Sequence, residues 1–253
     1  MAAILTALYS AAVYVVFLGT FLYAIGFVEG MVVPKTIDSG VPGGVAISIV
    51  INAALLGVFA LQHSIMARPA FKRAWTRLVP DAAERSTYVL FATAALALVC
   101  WQWRPLPGPI WSVNQPLVGA VILAISWCGW AMLLLSTFLI NHFHLFGLTQ
   151  GFTRLLRLEA APPAFTTPFF YRWLRHPLYA GFILAFWAAP HMSLGHLLFA
   201  GLATGYIFVG IWFEERDLIA QFGERYQRYR ESVGMLIPRL RRNAPQRRPA
   251  GAR

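Results

Sequence analysis

The sequence predicts an all-α fold: a polytopic integral membrane helical bundle of five to six transmembrane helices, with a C-terminal helical hairpin and a cytoplasmic amphipathic helix. Three observations carry that prediction. Of 253 residues, 58% are hydrophobic and 12% charged, a charged share about half that of ordinary soluble domains, and the mean hydropathy is +0.59. The apolar residues fall in blocks long enough to cross hydrocarbon, which takes about 20 helical residues for roughly 30 Å. The basic residues gather on alternate loops. A soluble fold of this size would expose large sticky patches. Disorder, a disulfide scaffold and a nucleic-acid-binding domain are excluded as classes.

The first block covers residues 4–28, and the first charge of the chain is Glu29. Without a basic segment ahead of it, this block reads as a retained anchor and not a cleaved signal peptide. Further spans are expected at 45–66, 86–103 and 116–140. Cys100 and Cys128 sit inside apolar runs and read as small packing residues. After His176 comes PLYAGFILAFWAAP, then a break at Pro190–Gly195, then SLGHLLFAGLATGYIFVGIWF. This is a hairpin of one short and one full span, and a re-entrant first arm, giving five true spans, stays open. Beyond it, Leu218, Phe222, Tyr226, Tyr229 and Val233 recur at helical spacing opposite an Arg-rich face. That pattern predicts one amphipathic helix lying against anionic lipid headgroups. Strand alternation is absent, and no internal repeat divides the chain, so residues 1–253 read as a single membrane domain with a basic flexible tail at 241–253.

Orientation follows from counting Lys and Arg. With six spans, one side receives loops 67–85 and 141–176 and the tail 214–253, which together hold 19 of the 21 basic residues. Only Lys35 and Arg104 face the other side. Both termini are therefore expected in the cytoplasm, and the net charge of +11 reads as membrane attraction and not as nucleic-acid binding. The same topology brings His63, Asn141, His142, His144, Arg175, His176, Glu214 and Glu215 to one depth at four helix ends. Ionisable groups at membrane depth cost roughly 2.5–3.5 kcal/mol each, so a cluster points to function. His191 and His196 belong to the opposite turn and read as interfacial.

Two motifs carry chemistry. In Arg175-His176-Pro177-Leu178-Tyr179-Ala180-Gly181, Pro177 starts a helix where its missing N–H costs nothing. The free N–H groups of that helix end and the Arg175 guanidinium suit a carboxylate. Gly181 permits close approach by a helix or a ligand. In Glu214-Glu215-Arg216-Asp217-Leu218, the adjacent acids at a span's end suit a ribose diol or a cationic group. Together these describe a cytoplasm-facing pocket for a cofactor with a carboxylate, a ribose and an aromatic base. Neither a G-x-G-x-x-G nor a P-loop occurs, so a soluble-type nucleotide fold is not indicated.

RHPLYAG, EERDL and FGERYQRYRESVGMLIP resemble the C-terminal half of the isoprenylcysteine carboxyl methyltransferase superfamily. LQHSIMARPAFK, ERSTYVLF, WQWRP and NHFHLFGLTQ resemble its nurim-like branch. The resemblance implies nurim-like N-terminal spans over 1–140 and an S-adenosyl-L-methionine-binding half over 141–240. It nominates Arg175, His176, Pro177, Tyr179, Gly181, Glu214 and Glu215 for that cofactor, with Tyr226, Tyr229 and Arg230 as further candidates. It also implies transfer of a methyl group to a small thiol, methanethiol to dimethyl sulfide, in the inner membrane of a bacterium. An NADPH-dependent sterol-reductase-like enzyme and a non-catalytic nurim-like membrane protein are the competing readings.

Alkyl thiols are weak acids, with Cys at about 8.5 as a guide, so a base helps to ionise them. His63, His142 and His144 are the candidates at the right depth. No metal is expected, because no ligand spacing accompanies these histidines. The expected partners are a small thiol and membrane lipid, with no nucleic acid, and no feature of the sequence sets an oligomeric state.

Overall fold

In a computed structural model, residues 1–156 and 165–239 are described. The expected tail at 241–253 lies outside the described residues. The long helices are α1 (Ala2–Glu29), α2 (Val45–Ala67), α4 (Asp81–Gln102), α5 (Pro116–Ile140) and α9 (Leu194–Phe222), with short helices α3 (Pro69–Trp75), α6 (His142–Leu145), α7 (Leu148–Leu156), α8 (Pro177–Trp187) and α10 (Glu224–Ser232). The five long helices are apolar enough to cross a membrane, and α8 is a shorter apolar helix. The chain is thus an integral membrane helical bundle.

The helix ends follow local chemistry. α1 stops where Gly30 turns left-handed (φ 71°) and returns its N–H to the Gly26 carbonyl. α2 stops because Arg68 precedes Pro69 and is held extended. α4 begins at Asp81, earlier than the apolar block, with Asp81 and Glu84 in a first turn that favours acids. The amphipathic helix expected beyond residue 214 is broken: α9 runs to Phe222, Gly223 adopts φ 55°, and α10 starts anew. Helical spacing alone carries no sign of that turn, because glycine tolerates both conformations.

At 11 residues and a rise of 1.5 Å each, α8 is about 16 Å long, half of what a span needs. Its two ends nevertheless meet opposite parts of α9. His176 at its start reaches Glu215, and the Phe186 carbonyl at its end bonds His196 Nε2 at 2.9 Å. Extended chain follows α8. It includes β2 (His191–Ser193), which pairs antiparallel with β1 (Pro109–Ser112). That two-stranded ribbon departs from an all-helical reading, and it caps the end of the bundle away from Arg175. His196 itself is buried at 4% exposure and is not interfacial.

The outward faces carry Leu5, Val15, Leu61, Val121, Leu135 and Phe208, all exposed as suits contact with lipid. Inside, the adhesive is small and polar. Ser10 on α1 accepts from Ser86 on α4 at 2.8 Å, and buried Asn52 exchanges two 2.8 Å bonds with the backbone of Arg104. Lipid is as apolar as leucine, so close packing and hydrogen bonds hold such helices together. The tightest crossing joins α5 to α8 at Gly129 and Gly181. A Cβ at Gly181 would lie 2.7 Å from the Gly129 carbonyl oxygen and 2.8 Å from the Leu133 nitrogen.

That crossing is testable. Gly181→Ala forces α5 and α8 apart and is expected to cost about 1–3 kcal/mol, the usual penalty of overpacking. Gly205→Ala, whose Cβ meets nothing within 4 Å, is expected to leave thermal unfolding in detergent unchanged. Equal unfolding midpoints for both variants would refute the packing argument.

Candidate functional site

The segment before α8 is held by the chain's far end. Leu174 forms a parallel bridge with Gly234. The Arg175 N–H donates to the Gly234 carbonyl at 2.8 Å and the His176 N–H to the Met235 carbonyl at 3.1 Å. The Tyr229 hydroxyl on α10 donates to the Tyr171 carbonyl at 2.6 Å. Pro177, fully buried, then starts α8. The residues after α10 therefore decide where Arg175 and His176 stand.

Glu215 on α9 is the centre of the cluster. Its Oε1 accepts from Arg175 Nε at 2.8 Å and lies 3.1 Å from His176 Nε2, while Arg230 Nε is 3.3 Å from Oε2. Arg175 Nη1 also donates to the Arg230 and Val233 carbonyls, at 2.8 Å each. Arg175, His176 and Glu215 are exposed at only 8%, 4% and 7%. Charges this buried cost several kcal/mol each unless they are paired and hydrogen-bonded. Here they are both.

Around that paired core further capacity remains. The Glu214 side chain is 45% exposed, with Oε2 3.9 Å from His176 Nδ1. Tyr226 is buried at 2% exposure, and its hydroxyl has no partner among the described residues. Burial, and then the nearby Glu215 carboxylate, push that phenol well above its ordinary range. The Tyr229 hydroxyl is pushed up to about 12, chiefly by burial. A groove of about 560 Å³ opens beside these groups, lined by Arg175, Ile219, Gln227, Arg230, Glu231 and Arg239.

Two nominated residues stand apart from the ion cluster. Gly181 faces α5, so its missing side chain serves the helix crossing. Tyr179 has its ring 5.7 Å from that of His176, with Glu214 as a neighbour of its hydroxyl.

The three histidines do not converge. His142 is buried, with Nε2 2.8 Å from the Tyr14 hydroxyl, Nδ1 2.7 Å from Thr137 Oγ1 and its ring stacked on Phe138. Both nitrogens are occupied, and burial holds its pKa below the ordinary value of 6.5. His144 is exposed beyond the end of α5. Partial burial, then the charges of Arg85 and Lys72, lower its pKa as well. His63 belongs to a different aromatic group, on α2, α4 and α9. Its nitrogens lie 2.8 and 3.0 Å from the Tyr88 hydroxyl on α4, and its ring centre is 6.4 Å from that of Tyr206 on α9.

Neither Tyr88 nor Tyr206 is nominated for the site by the motifs: Tyr88 lies inside the ERSTYVLF block without standing out in it, and Tyr206 is an isolated tyrosine in an apolar run. The available signal is spacing: Tyr206, Gly210 and Glu214 recur every four residues and share one face of α9. Among the described residues, no three of His, Cys, Asp and Glu come together as a metal site.

A family model described as NnrU protein matches residues 51–238. Methanethiol S-methyltransferase 1 of Bradyrhizobium diazoefficiens is 55% identical over 231 residues, covering 91% of this chain and 81% of that protein. The methanethiol S-methyltransferase of Mycobacterium tuberculosis is 53% identical over 234 residues, covering 92% and 96%. Human nurim is 33% identical over 177 residues, covering 65% of each chain. No solved structure matches.

The cluster makes two expectations. Glu215→Ala strands a buried guanidinium and is expected to cost about 3–5 kcal/mol, as when one partner of a buried pair is removed. Glu215→Gln, which keeps an acceptor, is expected to cost clearly less, with thermal unfolding in detergent as the measure. For His142 the folded pKa lies below the unfolded one. Its stability contribution is therefore present above pH 6.5 or so and is lost as pH falls below it. A fall in melting temperature from about pH 7.5 to about pH 5.5 should flatten in His142→Gln; an unchanged slope refutes the assignment.

Proposed function

The chain belongs to the NnrU protein family, and from that premise we propose that it methylates a small thiol, methanethiol to dimethyl sulfide, with S-adenosyl-L-methionine as donor. The observation that carries this reading is the buried Arg175–His176–Glu215 cluster beside an open groove, in a chain half identical to two methanethiol S-methyltransferases. The basic asymmetry further supports placing both termini and this groove on the cytoplasmic side of a bacterial inner membrane.

The residues present fit such a donor. Arg175 lines the groove, and its Nη2 makes no bond among the described residues, which leaves it for a carboxylate. The half-exposed Glu214 carboxylate suits an ammonium group, a sulfonium or a ribose diol. The orphaned Tyr226 hydroxyl supplies a buried polar contact. When bound, the donor supplies an electrophilic methyl group on a positively charged sulfur and leaves as a neutral thioether.

The chain's own work is positioning, drying and moving one proton. Its spans exclude water, and holding the reacting groups in one dry site is worth several kcal/mol. His63 takes the thiol proton on a ring nitrogen as the sulfur lone pair forms the new carbon–sulfur bond. His142, bonded at both nitrogens, and His144, exposed beyond the end of α5, are less well placed for that step.

Cells expressing the chain are expected to release dimethyl sulfide into the headspace when given methanethiol, and the purified protein to bind S-adenosylhomocysteine but not NADPH. Its absence from the headspace, in cells whose membranes hold the folded protein, would refute the reading. Arg175→Ala is expected to weaken S-adenosylhomocysteine binding by roughly 1.5–3 kcal/mol, the worth of charge-assisted hydrogen bonds. His63→Ala is expected to keep that binding while losing turnover, with the loss shrinking at high pH where the thiol ionises unaided. An identical loss at every pH would remove His63 as the base.

A further inference from the structure

Away from the ion cluster, four helices turn polar aromatic side chains toward one another inside the bundle. His63 on α2 meets the Tyr88 hydroxyl on α4 at 2.8 Å. The Phe59 ring stacks on His63 with centres 5.4 Å apart, and Tyr206 on α9 meets the edges of both. The Tyr206 hydroxyl is 3.1 Å from Ser64 Oγ. From α8, the Tyr179 hydroxyl approaches α9 at Gly210, 3.8 Å from where a Cβ would stand, and Tyr206 and Tyr88 are its electrostatic neighbours. Polar groups at such depth are costly to keep without a task. One face of α9, through Tyr206, Gly210 and Glu214, joins this group to the ion cluster.

We propose that His63, Tyr88, Tyr179 and Tyr206 form the seat of the acceptor, and that the seat selects a small, uncharged alkyl thiol. The inference rests on the methyltransferase reading above. Its chemistry fits that class at both ends of the ligand. The imidazole of His63 accepts the thiol proton, and the three hydroxyls are the polar groups available to a sulfur as it gains negative charge. The Phe59 and Tyr206 rings supply apolar contact for an alkyl group of one or two carbons. Two guanidinium groups stand at the rim: Arg85 over the Tyr88 ring at 4.8 Å and Arg68 over the Phe213 ring at 4.4 Å. Their field favours a thiolate. Their own partners lie outside the seat, since Arg85 donates to the Leu145 carbonyl at 2.7 Å and Arg68 pairs with Asp217 at 3.4 Å. Thiols carrying an ammonium or a carboxylate, such as cysteine, would bury that charge among rings and hydroxyls without a counter-ion, which the site rejects. Tyr206 is then the specificity-determining wall and Tyr88 the positioning residue for His63.

The test is a thiol series (methanethiol, ethanethiol, 1-propanethiol and cysteine) assayed with full-length protein in detergent. Wild type is expected to prefer methanethiol and to leave cysteine unmethylated. Tyr206→Phe, which removes one oxygen, should lower kcat/KM for methanethiol about tenfold or more, as the loss of a hydrogen bond to a charged group does, with S-adenosylhomocysteine affinity unchanged. Tyr206→Ala should move the preference toward ethanethiol or 1-propanethiol, a change of order that mere loosening of the fold would not produce. Tyr88→Phe should lower kcat more at neutral than at high pH. If wild type methylates methanethiol but both Tyr206 variants keep its kcat/KM and its order of preference, the seat is misplaced and the methyltransferase reading stands. If wild type methylates none of the thiols, both fall.

Discussion

A carboxylate buried at the end of a membrane span must find its hydrogen-bond partners within the protein, and Glu215 finds them on two other parts of the chain. Arg175 and His176 arrive from the start of α8, and Arg230 arrives from α10. The Coulombic gain in such surroundings offsets the desolvation of the charges only when the geometry is good and the remaining donors are satisfied. The Arg230 and Val233 carbonyls meet that condition by accepting from Arg175. The ion cluster therefore fixes the fold of the C-terminal region: α10 cannot lie elsewhere without stranding Arg175.

The same constraint reaches the rest of the bundle through α8. That helix is too short to anchor itself in the bilayer, so its position is set at its two ends and along its flank. Glu215 holds the start, the Phe186 carbonyl and His196 hold the finish, and the Gly129–Gly181 crossing locks the side against α5. α5 is itself tied to α1 through Glu29, whose Oε1 accepts from Trp130 Nε1 at 2.6 Å and from Ser126 Oγ at 2.7 Å. A chain of polar contacts thus runs from one end of the molecule to the other. Each link gains because the surrounding lipid offers no competing hydrogen bond.

Two zones of different electrostatic character result. One is ionic and opens on a groove, and it suits a ligand that carries both a carboxylate and a positive charge. The other is neutral, aromatic and rich in hydroxyls, and it suits a small ligand that becomes an anion during reaction. One face of α9 borders both. Transfer of a methyl group from a cation to an incipient anion calls for that contrast, because the reaction consumes the charge separation it begins with.

The sequence by itself determined the solvent, the helices and the polarity of the loops. These depend on sums over many residues: apolar runs of about 20, a helix start marked by Pro177, and 19 of 21 basic residues on one set of loops. It also singled out Arg175, His176, Glu214 and Glu215, because ionisable groups stand out against an apolar background. Tertiary structure alone decided the rest. Sequence distance puts His142 and His144 close to the nominated site, yet Tyr14 and Thr137 hold one and the other is exposed beyond the end of α5. His63 looks isolated until α4 and α9 bring Tyr88 and Tyr206 beside it. The turn at Gly223 and the placement of Gly181 against α5 are likewise invisible locally, because a glycine permits many conformations and only its neighbours select one. Periodicity tells which face of a helix is buried; which other helix covers that face depends on contacts between residues distant in sequence.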